Sequence, residues 1–383
     1  MKKANVTLMV FTLMSFVLAM TSLAFNGILD IVALSLNISV ANSGLLNTMY
    51  AYGAAFGVPI TLIVFRRIER VRMLKIMLLV TILMTAALVF AQSFGQLLII
   101  RLIMGIAANS YGVLAISMVV SLSDIERQGR SMASYFMGSS LALVIGIPLT
   151  RALSAILEWR SIFWVLNIIM ILSLIYFMIF LPGGDHSSTK LELKKELQYF
   201  KDGKVLLIIT FTLIMFIGYN AFYTYITPYL LLLFPSLKAT MSFILILLGI
   251  ASFLGNLLGG MVSDRIGFAK SMLIGAVGQT ILILLLLVFQ PVRWLSVLLA
   301  ILWLMSGWFT GLQLNTGIAQ VTQNKSSFMI SINSSSIQLG GALGSSLAAV
   351  VINLSGIQNI VSITLLTGLM MITLQLIYMK KYA

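Results

Sequence analysis

Residues 160–204 read RSIFWVLNIIMILSLIYFMIFLPGGDHSSTKLELKKELQYFKDGK, and this stretch contains the two kinds of segment from which the whole chain is built. Its first part, 161–181, carries no charged side chain, and about 20 apolar residues in a helix are enough to cross a bilayer. Its second part, 182–204, is polar and holds nine charged side chains. The stretch therefore predicts a transmembrane helix followed by a linker outside the membrane.

Apolar segments of this kind recur along the whole chain. Of the 383 residues, 60% are hydrophobic and 9% are charged, whereas soluble domains carry about 25% charged residues. This composition excludes a water-soluble globule and predicts an all-α membrane protein. Apolar runs bounded by charge, Gly or Pro predict twelve transmembrane helices, at 6–29, 43–65, 73–92, 96–119, 131–155, 160–181, 205–233, 239–262, 270–290, 293–318, 327–352 and 357–379.

The polar linker divides these spans into two sets of six. We predict an N-terminal six-helix bundle over 1–181, a cytoplasmic linker over 182–204 and a C-terminal six-helix bundle over 205–383. Leucines and Phe200 alternate with charged residues in the linker, which fits either an interfacial amphipathic helix or a solvated connection. An Arg-Ile pair follows the second span of each set, at 67–68 and 265–266, so the two bundles are expected to be pseudo-symmetric.

The basic residues predict the orientation of the chain. With the N-terminus inside, nineteen of the 24 Lys and Arg residues lie in cytoplasmic segments, and Arg101 lies within a span. The outer segments hold only Arg151, Arg160, Lys238 and Arg293. We therefore predict a multi-pass protein of the cell (inner) membrane with both termini cytoplasmic. The net charge of +14 serves this topology, so we expect the partners to be the bilayer and a small molecule, and no nucleic acid.

Several chemistries have no candidate groups in the sequence. The chain has no Cys and a single His, His186, so we expect no metal site. It lacks an intramembrane His-Asp pair and a phosphate-binding Gly-rich loop followed by Lys-Ser/Thr. We expect neither an enzyme nor ATP coupling, and no cofactor apart from a proton as the coupling ion.

Three groups of residues together resemble a known family. Residues 259–267 read GGMVSDRIG, span 4 contains Arg101 followed by Gly105, and span 5 contains Gly138, Gly146 and Pro148 before a Trp-Arg segment. This set resembles the major facilitator superfamily, and within it the drug/proton antiporter and sugar-efflux (arabinose-efflux-like) branch. The resemblance implies the major facilitator fold of two six-helix bundles, transport by alternating access and a monomer.

The resemblance also implies that the residues of these motifs take part in the conformational change of the transporter. In the C-terminal half these are Gly260, Asp264, Arg265 and Gly267, which we interpret as a latch: glycines allow close helix approach, the carboxylate meets a helix N-terminus or a basic partner, and the last Gly ends the helix. The N-terminal copy departs from this pattern, since Arg66 and Glu69 occupy the Asp and Gly positions. In span 5, Thr150 stands where the family usually has Gly.

Asp30 and Arg101 are the ionisable residues that the sequence places within the spans. A charged group at the centre of a transmembrane helix costs about 2.5 kcal/mol or more, which makes both residues functional candidates. Because both are predicted in the outer third, we hypothesise that they face each other and couple proton entry to export. The drug-antiporter branch that this chain resembles often has a carboxylate earlier on the first helix, at the position that Ser22 occupies here. At the position of Asp30 that branch usually has a Pro. The alternative is a solvated helix-end acid and a snorkelling Arg.

Aromatic and amide side chains are predicted to line a substrate cavity. Such a wall holds a ligand by stacking and a few hydrogen bonds. The candidates are Asn26, Tyr219, Asn220, Tyr223, Tyr225, Asn256, Trp303, Trp308, Gln313 and Asn315.

The leading functional interpretation is export of small amphipathic molecules by proton antiport with alternating access. The alternative within the same class is a sugar or nucleoside efflux carrier, because amides suit hydroxyl groups and Tyr and Trp suit rings. The alternative of another class is a membrane sensor that has the same fold and does not transport.

Overall fold

The computed structural model describes residues 2–65, 68–123, 128–181, 197–322 and 327–382. Within these ranges the chain is helical and has no β-strand. It divides into two compact units. Unit 1 comprises Met1–Ser39 and Met49–Thr189, and unit 2 comprises Val40–Thr48 and Lys190–Ala383. The division at 189/190 falls in the predicted linker, and the part of that linker at 182–196 lies outside the described residues.

Unit 1 contains the helices of the N-terminal half, except for the first nine residues of α2, which belong to unit 2. The helices are α1 (Lys2–Leu36), α2 (Val40–Val64), α3 (Arg70–Phe90), α4 (Phe94–Ser121), α5 (Gln128–Leu141), α6 (Ile147–Leu153) and α7 (Arg160–Phe180), with a π-helical segment, Ala142–Gly146, between α5 and α6. Helix α4 begins with a capping box in which the Ser93 side chain accepts from the Gln96 backbone N–H.

Unit 2 contains the C-terminal helices and three short 3₁₀ segments. The helices are α8 (Gly203–Tyr223), α9 (Ile226–Leu233), α10 (Met241–Ile266), α11 (Phe268–Val288), α12 (Arg293–Val321), α13 (Ser327–Ser355) and α14 (Ile360–Tyr382). The 3₁₀ segments are Leu197–Lys201, Pro235–Thr240 and Ile357–Asn359. A hydrophobic cluster in this unit joins α8, α11, α12 and α14 through Phe211, Met215, Met272, Ala276, Leu314 and Met371.

The helices follow the predicted spans, with two interruptions. Eleven helical segments in the described part of the chain are long and apolar enough to cross a membrane. Helix α2, with 25 residues, occupies the position of the second predicted span. The fifth predicted span is built from α5, the π segment and α6, and the seventh from α8 and α9. Both interruptions lie beside residues of the candidate sites.

In each half, glycines bring the helices of the second and fourth predicted spans into close contact. These helices are α2 and α4 in the N-terminal half and α10 and α12 in the C-terminal half. In unit 1, a Cβ atom on Gly53 would overlap the Leu102 carbonyl oxygen, and one on Gly105 would overlap the Tyr50 carbonyl oxygen, so α2 and α4 meet backbone to backbone. In unit 2, Gly255 has the same relation to α12, where a Cβ would overlap the carbonyl oxygen of Met305. The same pairing in both halves agrees with the predicted internal repeat.

Candidate functional site

Asp30 forms an ion pair in unit 1 with Arg151. Helix α1 is kinked at Ile28, whose backbone angles are φ −133° and ψ 17°. The Arg151 Nη1 donates to Asp30 Oδ1 at 2.5 Å and to the Gly27 carbonyl oxygen at 3.2 Å. The side chains are 7% exposed for Arg151 and 23% for Asp30. One guanidinium therefore joins α6 to α1 on both sides of the kink.

The glycines of the fifth span bring α1 and the segment before Arg151 together. A Cβ atom on Gly138 would overlap the Thr12 carbonyl oxygen, and one on Gly146 would overlap the Met20 sulfur. Pro148 stands just after the junction of the π segment with α6, where it has no N–H to donate to the preceding turn. These motif residues therefore position α6, and with it Arg151, beside α1.

Arg101 lies elsewhere in unit 1 and is fully buried. Its Nη1 donates to the Thr21 carbonyl oxygen at 2.6 Å and its Nη2 to the Ser22 carbonyl oxygen at 3.2 Å. The guanidinium also lies over the rings of Phe25, at 4.8 Å, and Tyr50, at 4.4 Å. Carbonyl oxygens and ring faces thus surround this cation.

The predicted pairing of Asp30 with Arg101 is therefore wrong. The carbonyl acceptors of Arg101 precede Asp30 by eight and nine residues on α1, which is about 12 Å along a helix. Span boundaries predicted from the sequence do not fix the depth of a residue in the membrane to better than about two helical turns. Arg151, which was predicted in an outer segment, is the partner that the structure provides. The role of Asp30 and Arg101 in proton coupling stays a prediction.

Tyr219 and Trp303 form the centre of an aromatic cluster in unit 2. Their rings stack with centroids 5.4 Å apart and an interplanar angle of 18°. Tyr223 lies 5.2 Å from Tyr219 on the same helix, and Phe222 meets Trp303 edge-on at 5.0 Å. The predicted cavity residues Tyr219, Tyr223 and Trp303 are thus brought together between α8 and α12.

Four buried donor atoms lie at or near this cluster. Among the described residues, the Tyr219 hydroxyl, Gln279 Nε2, Trp303 Nε1 and Trp308 Nε1 have no hydrogen-bond partner. The Trp308 indole lies beside the Tyr219 hydroxyl, but the two groups do not meet with hydrogen-bond geometry. Gln279 and Tyr219 both pack against the backbone of α12 at Gly307, where a Cβ would lie 2.8 Å from Gln279 Nε2 and 2.9 Å from Tyr219 Cε2.

Gln279 was missed by the sequence analysis. It lies on α11 in the middle of a long apolar run and is 5% exposed, whereas the amides predicted to line the cavity lie on other spans. The signal was present, because burying an amide without a partner costs at least about 1 kcal/mol and so needs a reason.

Two predicted cavity residues have structural partners instead. Gln313 is fully buried, and its Nε2 donates to the Gly259 carbonyl oxygen at 3.0 Å and to Ser271 Oγ at 2.6 Å, which joins α10, α11 and α12. Tyr225 is also fully buried, and its hydroxyl donates to the Ala41 carbonyl oxygen at 3.0 Å within unit 2. Both side chains are enclosed by helix packing, and the cavity role predicted for them stays a prediction.

The other predicted cavity residues are distributed over both units. Asn220 donates to the Phe216 carbonyl oxygen of its own helix at 3.2 Å, and Asn256 is half-buried on α10. Asn26 is buried on α1 in unit 1. Asn315 lies on α12, and its side chain is outside the described part of the structure. Their roles stay predictions.

The predicted latch motif lies at the end of α10. Gly259 makes the close contact with α12, where a Cβ would lie 2.6 Å from the Phe309 carbonyl oxygen, whereas Gly260 meets only the Leu312 side chain at 3.4 Å. Asp264 and Arg265 are exposed in the last turn. Gly267 ends the helix with φ +83°, a conformation that favours glycine, as the motif predicted.

The chain matches the profile of the Major Facilitator Superfamily over residues 11–235 and 236–382. An uncharacterized MFS-type transporter, YbcL of Bacillus subtilis, is 27% identical, with 89% of this chain and 87% of that protein covered. A probable sugar efflux transporter of Helicobacter pylori is 26% identical, with 93% and 90% covered. The inner membrane transport protein YdhP of Escherichia coli is 24% identical, with 92% and 90% covered.

Solved structures agree at the level of the fold. The nucleoside transporter NupG superposes with a TM-score of 0.76 at 14% identity, covering the whole of both chains. A D-xylose-proton symporter superposes with a TM-score of 0.75 at 15% identity, covering 99% of this chain and 97% of the other. The predicted twelve-helix, two-bundle fold is confirmed, and the functional class is a transporter and not an enzyme. This chain is therefore a member of the Major Facilitator Superfamily, a multi-pass membrane transporter.

Proposed function

We propose that this chain is a secondary active exporter that moves small amphipathic molecules by proton antiport, with Asp30 as the coupling acid. In this proposal it works as a monomer in the cell membrane by alternating access, with both termini cytoplasmic. The observation that carries the proposal is the ion pair of Asp30 with the buried Arg151 beside a kink in a membrane-spanning helix.

The ion pair between Asp30 and Arg151 can exist in two states, with Asp30 charged or protonated, and coupling of transport to protons requires such a difference. A proton bound to Asp30 removes its charge, so the ion pair with Arg151 becomes a weaker hydrogen bond to a neutral acid, while the contact of Arg151 Nη1 with the Gly27 carbonyl oxygen is unchanged. The contact between α1 and α6 then differs between the two protonation states. A proton shifts a conformational equilibrium only through such a difference in contacts. Arg101 holds the deeper part of α1 through backbone carbonyls, which do not titrate.

The test is transport in proteoliposomes with an imposed pH gradient. A cationic dye, several sugars and several nucleosides are offered to the wild type and to Asp30→Asn. Glu158→Gln is the matched control, because Glu158 also pairs with an arginine, Arg160 at 2.7 Å, but is 61% exposed. Gradient-driven movement that Asp30→Asn abolishes and Glu158→Gln retains supports the proposal. Full proton-driven transport by Asp30→Asn refutes the coupling role of Asp30.

The proposed orientation has an independent test. Since the chain has no native Cys, single cysteines can be labelled without background. We expect Lys381→Cys, after the last span, to react with an impermeant maleimide only from the cytoplasmic side. Leu157→Cys, in the exposed turn before α7, is expected to react only from the outside. The reverse pattern refutes the orientation.

Efflux of a sugar or nucleoside is the second candidate. It is favoured by the stacked Tyr219–Trp303 pair with its neighbouring donor groups, and relatives of similar length carry the name probable sugar efflux transporter. The transport panel separates the two candidates. Saturable movement of a neutral sugar or nucleoside without movement of the dye favours the second.

A further inference from the structure

We infer that Lys204 and Lys381, positioned by the ring of Tyr382, form a binding site in unit 2 for the phosphate of an anionic phospholipid, in the leaflet on the side of the C-terminus. The site is independent of the transported substrate and of proton coupling, and so goes beyond the proposed function. It lies where α8 begins and α14 ends.

The ring of Tyr382 holds two ammonium groups close together. Lys204 Nζ lies 5.5 Å from the ring centroid, and Lys381 Nζ lies 5.3 Å from it. Both distances are within the range of cation–π attraction. The ring is itself held in place, because it packs against Tyr378 at 5.7 Å and because a Cβ atom on Gly203 would overlap its hydroxyl oxygen. Helices α8 and α14 thus each present one lysine at the same place.

Neither ammonium group has an acidic partner within the part of the chain that the structure describes. Lys204 and Lys381 form no ion pair there. The carboxylate of Asp202, two residues before Lys204, accepts a hydrogen bond from the Lys204 backbone N–H at 2.9 Å and caps the helix. Two like charges held close together repel each other, and an anion that contacts both removes this repulsion. A phosphate group, with several acceptor oxygens, fits two donors of this kind.

The site lies at the level of the lipid headgroups. Lys204 is in the first turn of α8 and Lys381 in the last turn of α14, and both helices belong to segments that are long and apolar enough to span the bilayer. The ends of such helices meet the headgroup region, where basic side chains bind anionic lipids.

Exposed apolar side chains lie on the membrane side of each lysine. Leu206, on α8, is 50% exposed, and Ile377, one turn before Lys381 on α14, is 47% exposed. Residues one turn apart share a face of a helix, so Ile377 lies below Lys381 toward the bilayer core. The lysines therefore meet a phosphate where Leu206 and Ile377 meet acyl chains, which is the pattern of a phospholipid and not of a soluble anion.

Two neighbouring lysines provide a matched control. Lys201 precedes Lys204 by three residues, Lys380 directly precedes Lys381, and both are exposed. They have the same charge, but neither makes a ring contact or an ion pair with any residue that the structure describes. A surface that attracts lipid by charge alone would depend equally on both pairs, whereas a fixed site depends on Lys204 and Lys381.

The test measures lipid binding to the purified full chain by native mass spectrometry, with phosphatidylglycerol as the anionic lipid and phosphatidylcholine as the zwitterionic one. We expect phosphatidylglycerol to bind at least about tenfold more tightly, since each lysine near an anionic lipid contributes about fivefold. Lys204→Gln combined with Lys381→Gln should abolish this preference. Lys201→Gln combined with Lys380→Gln should change it by less than about twofold, because exposed charges are screened.

Two further variants test the role of the ring. Lys204→Arg combined with Lys381→Arg should retain the preference, because arginine keeps the charge and stacks on aromatic faces. Tyr382→Leu keeps both charges but releases the lysines, and should weaken phosphatidylglycerol binding about threefold.

Melting temperature in detergent is the second readout, because a ligand that binds the folded state raises it. Phosphatidylglycerol should raise it in the wild type and in the arginine variant, but not in the variant with glutamine at 204 and 381. Inorganic phosphate and glycerol 3-phosphate should leave the wild type unchanged. Equal losses in the two glutamine pairs, equal affinity for the two lipids, or stabilisation by a soluble phosphate equal to that by phosphatidylglycerol overturns the inference.

Discussion

Removal of Arg151 is expected to destabilise unit 1 more than neutralisation of Asp30. Arg151→Met leaves the Asp30 carboxylate and the Gly27 carbonyl oxygen without their common donor. Loss of one partner of a fully buried ion pair costs about 3–5 kcal/mol, and the 23% exposure of Asp30 places this site at the lower end, about 3 kcal/mol. Asp30→Asn keeps an acceptor oxygen in place and should cost about 1 kcal/mol.

The double variant, Asp30→Asn with Arg151→Met, separates the interaction energy between the two side chains from the contacts that each makes with its other neighbours. With both substitutions no unpaired charge remains, so we expect a cost of about 2 kcal/mol and a coupling energy of about 2 kcal/mol. The assay is chemical unfolding in detergent followed by Trp fluorescence. The Glu158–Arg160 pair is the control, since its exposed carboxylate predicts a coupling below about 1 kcal/mol. Costs at Asp30 and Arg151 that add to within about 0.5 kcal/mol would refute the reasoning.

Three further substitutions test the packing. Gly53→Val should destabilise unit 1 by about 3 kcal/mol because its side chain meets the backbone of α4, whereas Gly95→Ala, with open space around it, should be neutral or stabilising in the same unfolding assay. Gln313→Leu should cost about 1–3 kcal/mol in unfolding and leave ligand affinity unchanged, whereas a large affinity loss would support its predicted cavity role. Gly267→Ala, at φ +83°, should cost about 1–3 kcal/mol, and a cost equal to that of Gly260→Ala would contradict the backbone argument.

The membrane class, the positions of the spans and the two halves were predictable from sequence. Each depends on the length and hydrophobicity of an apolar run. These two properties are sufficient to predict a transmembrane helix, because a segment that crosses the bilayer must be apolar and must satisfy its backbone hydrogen bonds internally. The close helix contacts were predictable in kind from the glycines. Gly259 rather than Gly260 makes the contact with α12, because only one side of a helix faces its neighbour.

The partners of the polar residues were not predictable. The ion pair of Asp30 depends on a kink at Ile28 and on the π segment before α6, and neither has a signature in the apolar pattern. Tyr225 lies in the break between α8 and α9, where a continuous span was predicted. Gln279 belongs to a helix whose apolar pattern points to no particular face, so its neighbours become known only from the packing.

The π-helical turn at Ala142–Gly146 sets the direction in which Arg151 leaves the following helix. A π turn accommodates one extra residue in a helix, and each residue of an α-helix turns the chain by about 100°. Deletion of one residue from this turn would restore regular α-helix and rotate Arg151 by about that angle, away from Asp30. The ion pair therefore requires the extra residue of the π turn, and a chain without it would turn the arginine toward a different neighbour.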